Sequence, residues 1–185
     1  MLDFPFSTFH FLNKKKLVIN YLHKLGWFVG LVLLQVLILN NVHIAGYATP
    51  FLYIYVILKF ETETSRNALM LWAFFLGLTV DIFSDTLGMN AAATVVLAFS
   101  RPALLQLFVP RDTFEDIVPS VKTMGFASFL KYLVVSVFIH HALLLSIEFF
   151  SFAHIETLLL RIVTSALLTI TCVMAIEGVR KKSNG

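Results

Sequence analysis

Long apolar runs separated by short polar stretches organise this chain. Six such runs are present, and four of them have about the 20 residues that a helix needs to cross the ~30 Å hydrocarbon core of a bilayer. The second and third runs are shorter and reach that length only if Lys59 or Asp81 extends toward the headgroups. The pattern predicts an all-α, polytopic membrane helix bundle with six transmembrane helices. The predicted spans are 21–40, 47–60, 68–84, 88–109, 129–149 and 156–176.

Composition supports the membrane assignment. Of the 185 residues, 58% are hydrophobic and 14% are charged, whereas a soluble domain has about 45–50% apolar and about 25% charged residues. The mean hydropathy of +0.85 is too high for a soluble core of this size. The single cysteine, Cys172, excludes an intrachain disulfide and a cysteine-based zinc cluster. The net charge of +3 comes without a basic and aromatic face, so no nucleic-acid partner is expected.

The basic residues are distributed asymmetrically. If the N-terminus is cytoplasmic, 13 of the 14 Lys and Arg residues fall on the cytoplasmic side, and the remaining one, Arg161, lies within the last span. The predicted outer loops contain no Lys or Arg. This is the positive-inside pattern, and it predicts that both termini lie in the cytoplasm. The predicted outer loops are 41–46, 85–87 and 151–155.

The segments outside the spans are short. We interpret residues 1–20 as a cytoplasmic or interfacial segment rather than a cleaved signal peptide, because the following apolar run is long and lacks a small-residue cleavage site. Residues 21–176 form the predicted transmembrane domain, and 177–185 a basic cytoplasmic tail. The longest connection, 110–128, has apolar residues at helical spacing. It predicts a short amphipathic interfacial helix, with a disordered charged loop as the alternative.

Asp81 is the most informative polar residue in the spans. A carboxylate costs ~2.5–3.5 kcal/mol at the centre of a membrane helix and less near its end, so it needs a partner, a cavity or an interface. Two kinds of partner can satisfy Asp81: backbone N–H groups, or Arg161. Arg161 itself can extend outward or pair with Asp81 or Glu148, and we favour pairing. Asp85 would share a face with Asp81 on a continuing helix, but it falls in the predicted turn.

Other polar residues in the spans predict helix contacts. Gln35 is interpreted as a hydrogen-bond donor between helices, and Asn90 as a cap or helix contact at the start of span four. Pro50 suits the first turn of span two, where its missing N–H costs nothing. Pro102 is expected to kink or end span four.

Small residues four apart occur in two spans. Gly26 with Gly30, and Ala73 with Gly77, allow close approach of helix backbones. We favour packing within the bundle for both pairs over a dimer or partner face.

The histidine pair and the acidic residues give no catalytic or metal-binding pattern. His140 and His141 are neighbours and point about 100° apart on a helix, so they are poorly placed to ligate one metal ion. One of them is expected to hydrogen-bond a neighbouring helix, and a proton relay stays open. Because no second intramembrane Asp and no nucleophile–base set is present, we assign no catalytic, cofactor-binding or metal residues and predict that the protein is not an enzyme.

Four short motifs stand out in and between the first four runs: LQVL at 34–37, PFLYIY at 50–55, FLGLTVD at 75–81 and LGMNA at 87–91. In this combination they resemble the motifs of the MreD family, small polytopic inner-membrane proteins of bacterial rod-shape systems. The resemblance covers roughly residues 30–110 by motif and the whole chain by length and topology.

The resemblance implies a non-enzymatic scaffold of the cell-elongation machinery in the bacterial inner (plasma) membrane. Such a protein binds an MreC-like single-span partner and, indirectly, MreB and the RodA/penicillin-binding-protein synthase, and helps to organise peptidoglycan synthesis and cell shape. It is also similar in architecture to the S components of energy-coupling-factor transporters. In this interpretation Asp81 and Asn90 brace the turn between spans three and four. The candidate structural or interaction residues are Gln35, Pro50, Gly77, Asp81, Gly88, Asn90 and Arg161.

A second hypothesis is a substrate-binding, S-type subunit of a small-molecule or vitamin transporter. It requires an outward-facing cavity of the kind that ligand-binding proteins use. The residues expected to line that cavity are Gln35, His43, Asp81, Asn90 and Glu148. An intramembrane enzyme is a distant third possibility.

Overall fold

The computed structural model describes residues 25–41, 48–109, 117–149 and 155–183, without the side chains of 41 and 181–183. Every regular element in these ranges is helical. The predictions for residues 1–20 and for His43 fall outside the described residues. The elements are α1 (Leu25–Leu37), a 3-10 turn (Leu39–Asn41), a 3-10 turn (Leu52–Ile54), α2 (Tyr55–Leu58), α3 (Arg66–Ser84), α4 (Met89–Phe108), α5 (Val121–Met124), α6 (Phe126–Phe149) and α7 (Ile155–Ser183).

Four helices, α3, α4, α6 and α7, are long and apolar enough to cross a membrane. The shortest is α3, whose 19 residues extend about 28 Å at 1.5 Å per residue. It begins two residues earlier than predicted because the Ser65 side chain accepts a hydrogen bond from the Ala68 N–H and caps the helix. The prediction of an all-α, multi-pass membrane protein is confirmed at this level.

The bundle has two ends that differ in chemistry. One end contains the α3–α4 turn, the C-terminus of α6 and the N-terminus of α7, and we call it the hairpin end. The other end contains Lys59, the N-terminus of α3 and the C-terminal half of α7, with Lys122 nearby, and we call it the basic end.

The predicted second span, 47–60, is not a span-length helix. Only residues 52–58 are helical, which corresponds to about 12 Å, and residues 48–51 are not helical. Pro50 therefore precedes the helical turns instead of opening them. Residues 50–58 are all buried within the bundle. Because neighbouring side chains satisfy its backbone, this stretch does not need to be a regular helix. We call residues 48–60 the buried segment.

The structure adds detail to three further predictions. Of the two effects expected at Pro102, a kink or an end of the helix, the end does not occur there, because α4 continues six residues past it. Within the predicted interfacial helix 110–128, residues 110–116 lie outside the described part of the chain and 117–120 are not helical. Only the four-residue α5 follows, because Gly125 at φ +79° separates it from α6. The predicted tail from residue 177 continues α7 as far as Ser183.

Helices α3 and α4 approach each other closely at Gly77. A Cβ atom at this position would lie 2.5 Å from both Ala91 Cα and Thr94 Oγ1, closer than real contacts allow. The Thr94 hydroxyl donates to the Ala73 carbonyl at 2.9 Å and ties the two helices together. The small pair in α3 is therefore an internal packing site.

The small pair in α1 is not packed in this way. Gly26 and Gly30 are exposed, and a Cβ added at either would meet no atom within 4 Å among the described residues. No described residue packs against this pair, so its packing inside the bundle stays a prediction. The motif permits close approach, but no described helix uses it.

We expect Gly77→Ala to destabilise the bundle, because the added methyl group must push α4 away from α3. Overpacking of this kind costs about 1–3 kcal/mol. The measurement is the unfolding midpoint of the purified protein in mild detergent. Gly30→Ala is the matched control: its site is open, and alanine favours a helix by up to about 1 kcal/mol, so the midpoint stays or rises. Equal midpoints for the two variants would contradict the α3–α4 contact.

Candidate functional site

The Asp81 carboxylate is buried, with 1% of its surface exposed, and both of its oxygens are hydrogen-bonded. Oδ1 accepts from the Thr86 hydroxyl at 2.5 Å and from the backbone N–H and side-chain amide of Asn90, each at 3.0 Å. Oδ2 accepts from the Ala91 N–H at 2.9 Å. The first N–H groups of a helix lack partners within the helix, and here the carboxylate satisfies two of them. Of the two partners considered for Asp81, the structure shows the backbone N–H groups and not Arg161.

The turn beside Asp81 is tight. Helix α3 ends at Ser84, and Asp85 adopts a left-handed conformation at φ +53°. The Thr86 N–H donates to the Asp81 carbonyl at 3.0 Å. Gly88 has φ +77°, a value that favours glycine. Asp85 is exposed and lies beyond the last residue of α3 in the left-handed conformation, so the two acids do not share a helix face.

The Asp81 network continues into the buried segment through Asn90. The Tyr53 hydroxyl donates to Asn90 Oδ1 at 2.8 Å, and His140 Nε2 lies 2.9 Å from the same hydroxyl. Because the hydroxyl proton is used toward Asn90, His140 Nε2 is the donor to the tyrosine oxygen. Helices α3, α4 and α6 and the buried segment therefore meet in one chain of hydrogen bonds.

Gln35 binds the backbone of the buried segment where its helical turns begin. Its Oε1 accepts from the Leu52 N–H at 2.8 Å, and its Nε2 donates to the Pro50 carbonyl at 2.9 Å and to Asn40 Oδ1 at 2.9 Å. The sequence predicts a donor between helices; the structure shows a side chain that donates to the backbone of this segment and also accepts from it.

Helix α7 supplies two hydroxyl groups to the same stretch. The Thr49 N–H donates to Ser165 Oγ at 3.1 Å, and the Phe51 N–H donates to Thr169 Oγ1 at 3.0 Å. His141 Nε2 lies 3.1 Å from the same Thr169 oxygen. The two histidines therefore have different hydrogen-bond partners on neighbouring elements, Tyr53 of the buried segment for His140 and Thr169 of α7 for His141.

Arg101 satisfies the other end of the buried segment. Its side chain is 1% exposed, and its guanidinium donates to the carbonyls of Phe60 and Leu58 and, through Nε, to the Tyr132 hydroxyl at 3.1 Å. Arg101 is one of the basic residues that the positive-inside pattern places on the cytoplasmic side, and in the structure it is a buried hydrogen-bond donor.

A cluster of charged residues closes the basic end. Lys59 Nζ lies 2.8 Å from Glu177 Oε1, and the same carboxylate accepts from the Tyr55 hydroxyl. Arg180 donates to the Tyr55 oxygen at 3.2 Å and lies 5.0 Å from the centre of the Trp27 ring. This Glu177 cluster joins α1, α7 and the buried segment.

A cavity of about 350 Å³ opens at the hairpin end. It lies between the α3–α4 turn, the buried segment, α6 and α7. Of the residues predicted to line such a cavity, Asn90 and Glu148 do so, whereas Gln35 and Asp81 are not among the lining residues. The polar lining includes Asn40, Ser84, Asn90, Glu148, Arg161 and Ser165.

Arg161 pairs with Glu148. Arg161 Nη1 lies 3.8 Å from Glu148 Oε1, and the two side chains are 33% and 43% exposed. The guanidinium also lies 5.2 Å from the centre of the Phe149 ring. Arg161 Nε is shielded from solvent and has no hydrogen-bond acceptor among the described residues.

These polar groups mainly hold the bundle together. The described residues contain no group of three His, Cys, Asp or Glu side chains that could hold a metal ion. Asp81 has four donors on its two oxygens, so the carboxylate is occupied by the protein itself. Among the sites described above, the Arg161–Glu148 pair beside the cavity has the loosest contact.

Sequence reasoning missed the roles of Tyr53, Arg101 and Glu177. Arg101 lies within an apolar run, eight residues from its end, and that depth was a usable signal of burial. The run 47–60 is too short to cross the membrane as a helix. This short length was a signal that Tyr53 contacts protein instead of lipid. Glu177 gave no such signal, because an acid near the end of a span also suits the headgroup region.

We expect Gln35→Leu to lower the free energy of unfolding by roughly 2 kcal/mol or more, because it leaves the Leu52 N–H and the Pro50 carbonyl buried without a partner. The measurement is an unfolding titration in mild detergent. Gln106→Leu, the same change at an exposed position of α4, is the matched control and is expected to have little effect. A similar loss in both variants would mean that the Gln35 contacts contribute little.

Comparisons of the chain with protein-family models, with curated proteins and with solved structures found no match. The resemblance to the MreD family therefore stays a prediction that depends on the sequence motifs given above.

Proposed function

We propose that this protein is a non-enzymatic, MreD-like scaffold of the bacterial cell-elongation machinery. It crosses the inner membrane six times, with both termini in the cytoplasm. It binds an MreC-like single-span protein and, through it, works with MreB and the RodA/penicillin-binding-protein synthase in peptidoglycan synthesis and cell shape.

The braced α3–α4 turn is the observation that carries this proposal. Four hydrogen bonds to Asp81 fix the turn, and Leu87 at its tip is 99% exposed. Ile82 and Phe83, in the last turn of α3, are also exposed. A surface that is fixed before binding loses less conformational entropy when a partner docks. The hairpin end is therefore suited to binding a protein partner.

The six-crossing arrangement is supported by the path of the buried segment. Helix α1 ends toward the hairpin end, and α3 begins at the basic end, so the chain between them passes from one end to the other. Thr49 contacts Ser165 and Lys59 contacts Glu177, which lie about 18 Å apart along α7. Non-helical backbone is tolerated at membrane depth where protein surrounds it.

The transporter hypothesis receives less support. It needs Gln35 and Asp81 in a ligand cavity, and both side chains are instead engaged with backbone groups. The cavity itself is at the small end of the usual 300–1,000 Å³ range for ligand sites.

We expect Asp81→Asn to reduce recovery of the MreC-like partner several-fold, because an amide nitrogen replaces one acceptor oxygen and the brace of the turn is weakened. The measurement is co-purification of the tagged protein with the partner from membranes in mild detergent, at matched amounts of inserted protein. Asp85→Asn is the matched control: Asp85 is exposed, and asparagine tolerates its left-handed conformation.

A change at the tip separates docking from folding. Leu87→Gln removes an apolar contact surface from a side chain that is 99% exposed, so the fold is expected to be unaffected. Reduced partner recovery with an unchanged unfolding midpoint would locate the docking surface at the turn. Normal recovery for both Asp81→Asn and Leu87→Gln would refute the proposal that this turn binds the partner.

A further inference from the structure

The cavity at the hairpin end carries two opposite charges that are only loosely engaged. Arg161 and Glu148 approach to 3.8 Å, and both side chains are partly exposed. An exposed ion pair at this distance is weak, so a ligand can open it at little cost. Both residues line the cavity, and Arg161 Nε has no acceptor in the part of the chain that the structure describes.

The other polar groups of the cavity wall are engaged within the protein. The Asn40 amide donates to Ser84 Oγ at 2.6 Å, and Ser165 Oγ accepts from a backbone N–H. The Asn90 amide donates to Asp81 and Asn90 Oδ1 accepts from a tyrosine. The charged groups that the wall presents to a ligand are one guanidinium and one carboxylate.

We propose that this cavity binds a small zwitterion whose anionic group and ammonium group are a few ångströms apart, as in phosphoethanolamine, either free or as the headgroup of an aminophospholipid. The anion contacts the Arg161 guanidinium, whose fixed fork of N–H donors suits phosphate oxygens. The ammonium contacts Glu148. This binding role goes beyond the proposed scaffold function.

The pairing of charges selects for a ligand that carries both an anionic and a cationic group. A lone anion on Arg161 would face the Glu148 carboxylate, and a lone cation on Glu148 would face the guanidinium, so each is repelled by the second group. A zwitterion satisfies both. The cavity volume of about 350 Å³ accommodates a headgroup, and the apolar wall from Met89, Leu144 and Leu145 suits its methylene groups.

The test is calorimetric titration of the purified full-length protein with phosphoethanolamine. Glycerol 3-phosphate, which carries only the anionic group, and ethanolamine, which carries only the ammonium group, are the comparison probes. We expect phosphoethanolamine to bind at least tenfold more tightly than either. Arg161→Gln and Glu148→Gln are each expected to weaken binding at least tenfold. Glu156→Gln, an exposed acid of α7 that is not among the lining residues, is the matched control and should bind normally.

A second arm identifies the source of the zwitterion. Native mass spectrometry in detergent compares retention of phosphatidylethanolamine with that of phosphatidylglycerol. Preferential retention of phosphatidylethanolamine supports a lipid headgroup, and binding of phosphoethanolamine without lipid retention supports a soluble ligand. Met89→Trp, which fills the cavity and leaves both charges in place, is expected to abolish either form of binding.

Two results overturn the proposal. One is glycerol 3-phosphate or ethanolamine binding as tightly as phosphoethanolamine, which would remove the need for a zwitterion. The other is no phosphoethanolamine binding together with equal retention of the two lipids. Unfolding midpoints of the variants, measured alongside, show that a loss of binding is not a loss of fold.

Discussion

The structure depends on satisfying the backbone of the buried segment, residues 48–60. A regular helix satisfies its own N–H and carbonyl groups, but much of this segment is not helical. No water is available at membrane depth, so side chains from other elements must supply the partners. Gln35 does so from α1, Thr169 from α7 and Arg101 from α4. Each of these side chains is buried at a depth where an unpaired polar group would be costly.

The same constraint explains why Asp81 belongs to the core of the protein. The N-terminus of α4 presents free N–H groups, and a carboxylate at the end of α3 is the nearest strong acceptor. Asn90 then connects this acceptor to Tyr53, so the hairpin and the buried segment share one polar network. A change in either part is transmitted to the other through Asn90, because its amide bonds both.

Part of this architecture could be predicted from residue pattern alone. The apolar runs predict α3, α4 and α6 within three residues of their ends, since length and hydropathy decide membrane helices. Helix α7 begins within one residue of the predicted start but continues seven residues past the predicted end. The prediction of a helix over the whole run 47–60 is wrong, because hydrophobicity does not distinguish a side chain that faces lipid from one that faces protein. Gly30 and Gly77 show the same difficulty: the spacing permits close packing, but only the position of a neighbouring helix decides whether it occurs.

The two ends of the bundle differ in how completely their charges are engaged. At the basic end, Glu177 is held by Lys59 at 2.8 Å and by a tyrosine hydroxyl, so this carboxylate serves the fold. At the hairpin end, Arg161 and Glu148 are 3.8 Å apart and partly exposed beside a cavity. Charges that are fully paired stabilise a structure, whereas charges that are loosely paired keep the capacity to bind something else. Binding by this protein is therefore expected at the hairpin end, where a rigid turn and an incompletely satisfied ion pair lie side by side.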